Sequence, residues 1–470
     1  MSRWPRGNPR VLGTVLCVAG AVLLAVPDSA PIARRLPGDW PVRSLSLALG
    51  LELIGLAFWC WARAAVDAAR QVRRWIWLRR PAQAMWLAAA AEWLTPWAAP
   101  QSAAADGLPR LAAAAVVWAG LELMAALPLA RPFSDLAGPL LVVRPWLPAL
   151  LPAAGFAVLW HAAPQWTAIA DVRRIAEALL IVTAVLATLR AYGRRQWATA
   201  LRWLAVSESA LAAALVATQA FNPTVTLLLW LGSFGGRSFM LAGERRGATP
   251  RRGTLLSRLW RAAGWTGSGV LTWALLVALL ARLPGAVLTL PPAGATLEVI
   301  VTTLEILAVT GAGMLTAYVS VRRLIRAAER RSFLRPDPVL TLSHFTALLT
   351  LGLGPAAIVI AFVSGTSLPW PAFVPAALPP LVGGALAVLG ARGRVPLVAG
   401  FETMGGRARR TARLAFRAVT AFERRIVDTL GGALRAAVAP MRDLHTGDAQ
   451  EYLLFLVGLS VLALVLPFLR

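Results

Sequence analysis

Residues 190–243 read RAYGRRQWATALRWLAVSESALAAALVATQAFNPTVTLLLWLGSFGGRSFMLAG and hold two apolar runs, 197–218 and 223–242, separated by four residues. Crossing the ~30 Å hydrocarbon layer of a bilayer takes about 20 apolar residues, so the pair reads as two membrane-crossing helices. Four ionisable side chains lie inside or at the lip of this material: Arg202, Glu208, Arg237 and Glu244. An ionisable group at bilayer depth costs about 2.5–3.5 kcal/mol, so it faces a bundle interior. There it marks an ion path or a partner, or it pairs with a neighbouring helix for packing alone.

The rest of the chain has the same character. Of 470 residues, 58% are hydrophobic, and the mean hydropathy is +0.65. These values describe a polytopic membrane protein. No stretch between apolar runs exceeds about 60 residues, which leaves no room for an independent catalytic domain of about 100–150 residues. Cys17 and Cys60, the only cysteines, each sit in an apolar run and give neither a disulfide framework nor a metal site.

Further apolar runs bring the count to thirteen: 11–26, 44–62, 83–99, 109–130, 145–160, 174–190, 197–218, 223–242, 266–289, 296–320, 339–363, 372–391 and 450–469. The formal net charge of +25 is distributed between them. Connections after even-numbered runs are rich in arginine, among them Arg63 to Arg80, Arg245 to Arg261 and Arg322 to Arg335. Connections 100–108, 219–222, 290–295 and 364–371 contain none. Arginine excess marks the cytoplasmic side, so the charge reports topology and no nucleic-acid partner is expected. The alternation predicts a multi-pass protein of the inner (plasma) membrane with its N-terminus cytoplasmic and its C-terminus outside. Arg34, Arg35 and Arg43, and then Arg173 and Arg174, break it.

All 47 basic residues are arginine. Arginine keeps its proton in proteins, so a proton relay here must use carboxylates, histidine or water. The titratable groups at membrane depth are Glu52, Glu92, Glu122, Glu177, Glu208, Glu298, Glu305 and His344. Glu298 and Glu305 are seven residues apart and share a helix face, an arrangement that suits a stepwise relay or pairing with arginines of a neighbour such as Arg237. Arg202 and Arg237 can tune a neighbouring group or stabilise an anion. His161, His344 and His445 lie far apart, with no metal-ligand spacing, and no nucleophile or phosphate-binding motif is present, so no metal, no cofactor and no catalytic residue is expected. The proline-rich stretches 141–155 and 280–294 predict broken helices, and 392–449 carries Leu414, Val419, Phe422, Ile426 and Leu430 at helical spacing opposite a basic face. That pattern predicts a helix lying laterally on the membrane surface or on its neighbours.

Several segments, in this order, resemble the antiporter-type membrane subunits of respiratory complex I, membrane-bound hydrogenases and multisubunit cation/proton antiporters. WAGLELMAALPLA (118–130) is similar to the helix that carries the family's membrane glutamate, which falls on Glu122. ATLRAYGRRQWATALRWLAVSESALA (187–212) and LGSFGGRSFML (231–241) resemble the next two helices, whose lysines fall at Leu201, beside Arg202, and at Arg237. LPPAGATLEVI (290–300) resembles the family's proline break, with Glu298 close to its following ionisable residue. FERRIVDTL (422–430) and LHTGDAQEYLLFLVG (444–458) resemble the lateral helix and last span.

The match covers roughly 110–470. It implies an all-α membrane bundle divided into N-terminal helices (1–108), an antiporter-like core (109–391), a lateral segment (392–449) and a final span (450–470). The implied function is proton or cation movement coupled to the reaction of other membrane subunits or of a soluble or peripheral enzyme subunit. The path residues would be Glu122, Glu208, Glu298, Glu305 and His344, tuned by Arg202 and Arg237. The residues also admit a non-conducting structural subunit of the same fold, and an unrelated stand-alone transporter.

Overall fold

A computed structural model describes residues 9–25, 41–63, 68–98, 103–124, 147–192, 197–245, 255–283, 293–329 and 370–391, with eight further residues between 410 and 432. Among these residues the secondary structure is helical. In chain order the helices are α1 (Pro9–Ala25), α2 (Val42–Arg63), α3 (Ala68–Leu94), α4 (Ala103–Leu123), α5 (Leu147–His161), α6 (Ala163–Thr167), α7 (Ala170–Tyr192), α8 (Trp197–Thr218), α9 (Pro223–Arg245), α10 (Leu255–Arg282), α11 (Ala293–Glu329) and α12 (Trp370–Ala391). Three segments are long and apolar enough to cross a membrane: Val42–Trp61, Ala170–Tyr192 and Glu298–Arg322. Shorter apolar stretches occupy α1, α5, α9, α10 and α12.

The chain forms two compact units, Met1–Phe416 and Arg417–Arg470. In the second, Arg417, Ala418, Ala421, Arg425, Thr429 and Gly432 are helical and exposed, and Thr429 Oγ1 donates to the Arg425 carbonyl at 2.7 Å. The 284–292 part of the expected break, most of the expected lateral helix, the runs 339–363 and 450–469, and His344 lie outside the described residues.

Within the first unit, α1 to α5 pack as sequential neighbours, and α5 meets α8. Helices α7 to α12 form the second part, with α11 against α7, α10 and α12. Small residues bring the helices together, as expected where lipid removes the hydrophobic drive for helix association. A side chain on Gly20 of α1 would meet the Gly50 carbonyl of α2 at 2.6 Å. One on Gly155 of α5 would meet the Gly120 carbonyl of α4 at 2.7 Å.

Hydrogen bonds show which helix ends lie together. Arg43 of α2 donates to the His161 carbonyl at the end of α5 (3.2 Å), and Trp160 Nε1 donates to the Pro223 carbonyl at the start of α9 (2.8 Å). Arg282, the last residue of α10, donates to the Thr218 carbonyl at the end of α8 (3.1 Å). These termini therefore share one end of the unit, the one where the sequence is poor in arginine. The ends of α4 and α7 and the start of α8 lie at the other.

The structure moves several expected boundaries. Helices α3, α10 and α11 are 27, 28 and 37 residues long and run well past their apolar runs into arginine-rich sequence. Arginine is a good helix former, so the end of an apolar run does not mark the end of the helix. The expected break at 141–155 also shifts, because Leu147–His161 is helical straight through Pro152. The backbone bond that Pro152 removes is the one to Pro148 in the first turn, and Pro375, Pro379 and Pro380 are likewise carried inside α12. Neighbouring helices make prolines tolerable in such segments.

Candidate functional site

The α8–α9 turn organises the charged site. Gln219 takes a left-handed conformation (φ 56°) that ends α8, and Asn222 Oδ1 accepts from the Thr224 N–H at 2.9 Å, capping α9 ahead of Pro223 at its first position. Arg173 of α7 donates to Gln219 Oε1 at 2.6 Å. Arg282 reaches the same turn from α10. One of its guanidinium nitrogens caps the Thr218 carbonyl, while the other pairs with Glu177 Oε1 of α7 at 2.7 Å. A cation at a helix C-terminus also meets the negative end of the helix dipole.

The Glu177 side chain is only 4% exposed and that of Arg282 is 34% exposed, so the pair is buried on its carboxylate side and open to solvent on its guanidinium side. Further out, Arg174 of α7 pairs with Glu298 of α11 at 2.8 Å, with both side chains about 60% exposed. Glu305, half-buried two turns along α11, lies in the electrostatic field of Glu177, Arg282 and Arg174. Three carboxyls thus share two guanidiniums where α7, α8, α10 and α11 converge.

A second polar group occupies the same end among the N-terminal helices. Glu92 of α3 hydrogen-bonds Ser44 of α2 within the field of Arg43, and Gln165 Nε2 of α6 donates to Ser44 Oγ at 3.3 Å. Deeper in the unit, Thr188 of α7 lies 2.8 Å from Ser207 Oγ of α8 and 3.2 Å from Thr316 Oγ1 of α11, all three buried. Trp230 Nε1 donates to Ser209 Oγ at 3.3 Å on the other side of α8.

The expected site residues fall in different places. Glu298 and Glu305 are brought together with Glu177, and the arginine that meets Glu298 is Arg174. Glu208 is buried in the middle of α8 between the two hydrogen-bonded serines, and Arg202 is buried one and a half turns earlier. Glu122 lies at the other end of the unit, where α4 finishes, 4.0 Å from Arg80 of α3. Arg237 is on α9, with its side chain outside the described residues, as is His344. Among the described residues no group of histidine, cysteine and carboxylate side chains could hold a metal ion.

Sequence reasoning missed Arg174, Glu177 and Arg282 as a constellation, although it left a signal. Arg43, Arg173 and Arg174 are among the five residues that break the arginine alternation, the other two, Arg34 and Arg35, lying outside the described residues. In the structure each of these three is held by a carbonyl, an amide oxygen or a carboxylate.

No family model matches the chain, and no curated protein matches it.

Proposed function

We propose that this chain is a multi-pass membrane subunit that anchors and holds partner subunits of a larger complex. Its described charges would bind helices to one another and would not conduct ions. In this reading it sits in the inner membrane with thirteen spans, the arginine-rich end in the cytoplasm and the C-terminus outside. The observation that carries the proposal is the closure of Glu177 on Arg282 and of Glu298 on Arg174. A carboxylate held this way must break a charge-assisted hydrogen bond before it can pass a proton on, and arginine supplies none in return. The ordered motifs shared with antiporter-type subunits support membership of a complex. The lack of lysine supports loss of the path.

A second reading has one observation in its favour. Glu305 is the third carboxyl on two cations, a position from which a proton could exchange, and with Glu208 and Glu122 it would form part of a conducting path.

One preparation tests both. The chain is extracted in mild detergent from its native membrane, co-migrating proteins are identified, and the pure chain is placed in sealed liposomes under a pH gradient with an entrapped dye. The anchoring reading expects stoichiometric partner subunits and a proton leak equal to that of protein-free liposomes. A flux abolished by Glu305→Gln would replace it with the conducting reading. A chain that migrates only with itself would point to a stand-alone transporter.

A further inference from the structure

We propose that Glu92 binds a proton and that this proton closes a ring of hydrogen bonds through Ser44 and Gln165, clasping α2, α3 and α6 together at the arginine-poor end. The clasp belongs to the N-terminal helices. It is separate from the Glu177–Arg282 pair and does not depend on the anchoring role.

Three short stretches of sequence bring the groups together. Ser44 stands in the first turn of α2 and is fully buried. Glu92 stands in the last turn of α3. Gln165 lies in the five-residue helix α6, which is pinned by its buried neighbour Trp166, whose Nε1 donates to the Leu159 carbonyl at 2.9 Å. Gln165 Nε2 donates to Ser44 Oγ at 3.3 Å, and the Glu92 carboxyl hydrogen-bonds the same hydroxyl. The hydroxyl proton of Ser44 therefore goes to Glu92, since the amide is already a donor.

Two acceptors remain. Glu92 Oε1 and Gln165 Oε1 are both shut off from solvent, and neither accepts a hydrogen bond from any described residue. Both belong to groups anchored on Ser44 Oγ, so they lie within a side-chain rotation of each other. A buried acceptor without a donor is unfavourable. One proton on Glu92 Oε1 serves both atoms, because it sits on the first and is donated to the second. Each of the three groups then gives one hydrogen bond and receives one. With an ionised carboxyl, turning the amide over does not achieve this, because Ser44 would face two acceptors with a single proton.

The charges around the ring are few. Arg43 of α2 acts on Glu92 and favours its ionised form, but its guanidinium is turned to the His161 carbonyl at 3.2 Å. His161, at the end of α5, sets its ring edge-on to Trp160, with centroids 4.5 Å apart. On α4, packed against α3, Asp106 and Arg110 are exposed. Neither α6 nor the turn Thr95–Trp97 carries a charged residue. The end of α3 and the start of α2 present opposite dipole ends, which offset each other. When the proton leaves for solvent, two acceptor oxygens oppose each other and the grip on α6 loosens.

The test compares the full chain in nanodiscs, wild type against Glu92→Gln, by infrared difference spectroscopy and by hydrogen exchange of the α6 amides. At neutral pH the wild type is expected to show the carbonyl stretch of a protonated carboxyl that Glu92→Gln lacks. Gln165→Met is expected to shift that band, because it removes the acceptor of the acid proton. Ser44→Ala removes the donor to the other carboxyl oxygen, is expected to shift the same band upward, and serves where Gln165→Met does not assemble. Gln at position 92 keeps a donor where the acid proton sits, so that variant is expected to fold and to hold α6 at every pH. The ratio of wild-type to variant exchange is expected to be near one at acid pH and to rise as the proton leaves, by up to about tenfold per pH unit for a single proton.

Identical spectra for the wild type and Glu92→Gln mean an ionised Glu92 whose oxygens are served by a water or a cation, and overturn the proposal. A band that moves with neither Gln165→Met nor Ser44→Ala overturns the ring, as does a Glu92→Gln chain that unfolds. An exchange ratio that stays constant with pH overturns the clasp.

Discussion

The two ends of the first unit treat arginine in opposite ways. At the arginine-poor end each of Arg43, Arg173, Arg174 and Arg282 donates to a carbonyl, an amide oxygen or a carboxylate, at 2.6–3.2 Å. At the arginine-rich end the described contacts are mostly of another kind. The guanidinium of Arg190 lies 4.8 Å over the Trp203 ring, Arg322 donates to the Tyr318 hydroxyl at 2.7 Å, and Arg80 approaches Glu122 only to 4.0 Å. The difference teaches that arginines at the arginine-poor end are each tied to an oxygen acceptor at a helix end or on a facing helix. An arginine can sit on the far side when a carboxylate or a helix C-terminus neutralises it there.

The comparison is tested hardest at Arg282. Replacing it with Ala leaves the buried Glu177 carboxylate without this partner, and because Arg282 is partly open to solvent the expected loss is about 2–3 kcal/mol, below that of a fully buried pair. Thermal unfolding of the chain in nanodiscs is expected to show that loss, with part of it recovered in the Glu177→Gln/Arg282→Gln double variant. A loss under about 1 kcal/mol would mean that the two ends do not differ in kind. Overpacking comes next. Gly20→Leu drives a side chain into the Gly50 carbonyl, for an expected loss of about 1–3 kcal/mol. Because the α1–α2 crossing is remote from Arg282, the two losses should add; strong non-additivity would tie the crossing to the ionic end.

Thr188→Val removes the central hydroxyl of the Thr188–Ser207–Thr316 group. Hydrogen bonds between membrane helices average about 0.6 kcal/mol, and a loss of that order is expected by the same measurement. A much larger effect would make this group, and not the ionic end, the main lock between α7, α8 and α11. The smallest change is expected from Arg174→Ala. Both partners of that pair are exposed, so about 0.2–1 kcal/mol is at stake, shrinking as salt is raised. A salt-independent loss would show that the pair is covered by something else in the membrane.

Much of the helix plan was legible in advance. The runs 197–218 and 223–242 became α8 and α9 nearly to the residue, because a run of that length bounded by Asn222 and Pro223 leaves few alternatives. The starts of α3 and α10 and the end of α11 were not legible from hydropathy, since arginine continues a helix as readily as leucine does. The pairing of Glu298 with an arginine of a neighbouring helix was anticipated in type. The partner was not, because Arg174 is 124 residues away from Glu298 and Arg282 is 105 away from Glu177.

By itself the sequence determined that this is a helical chain with segments suited to a membrane, which of its ends carries the excess positive charge, and that no lysine takes part in its chemistry. Those properties follow from composition and from local periodicity, which act residue by residue. Only the tertiary structure decided which carboxylate meets which guanidinium and where three hydroxyls meet. Each of these depends on how far one helix slides along another, and that is fixed by close approaches such as Gly20 on Gly50 and Gly313 on Thr272, between residues far apart in the chain.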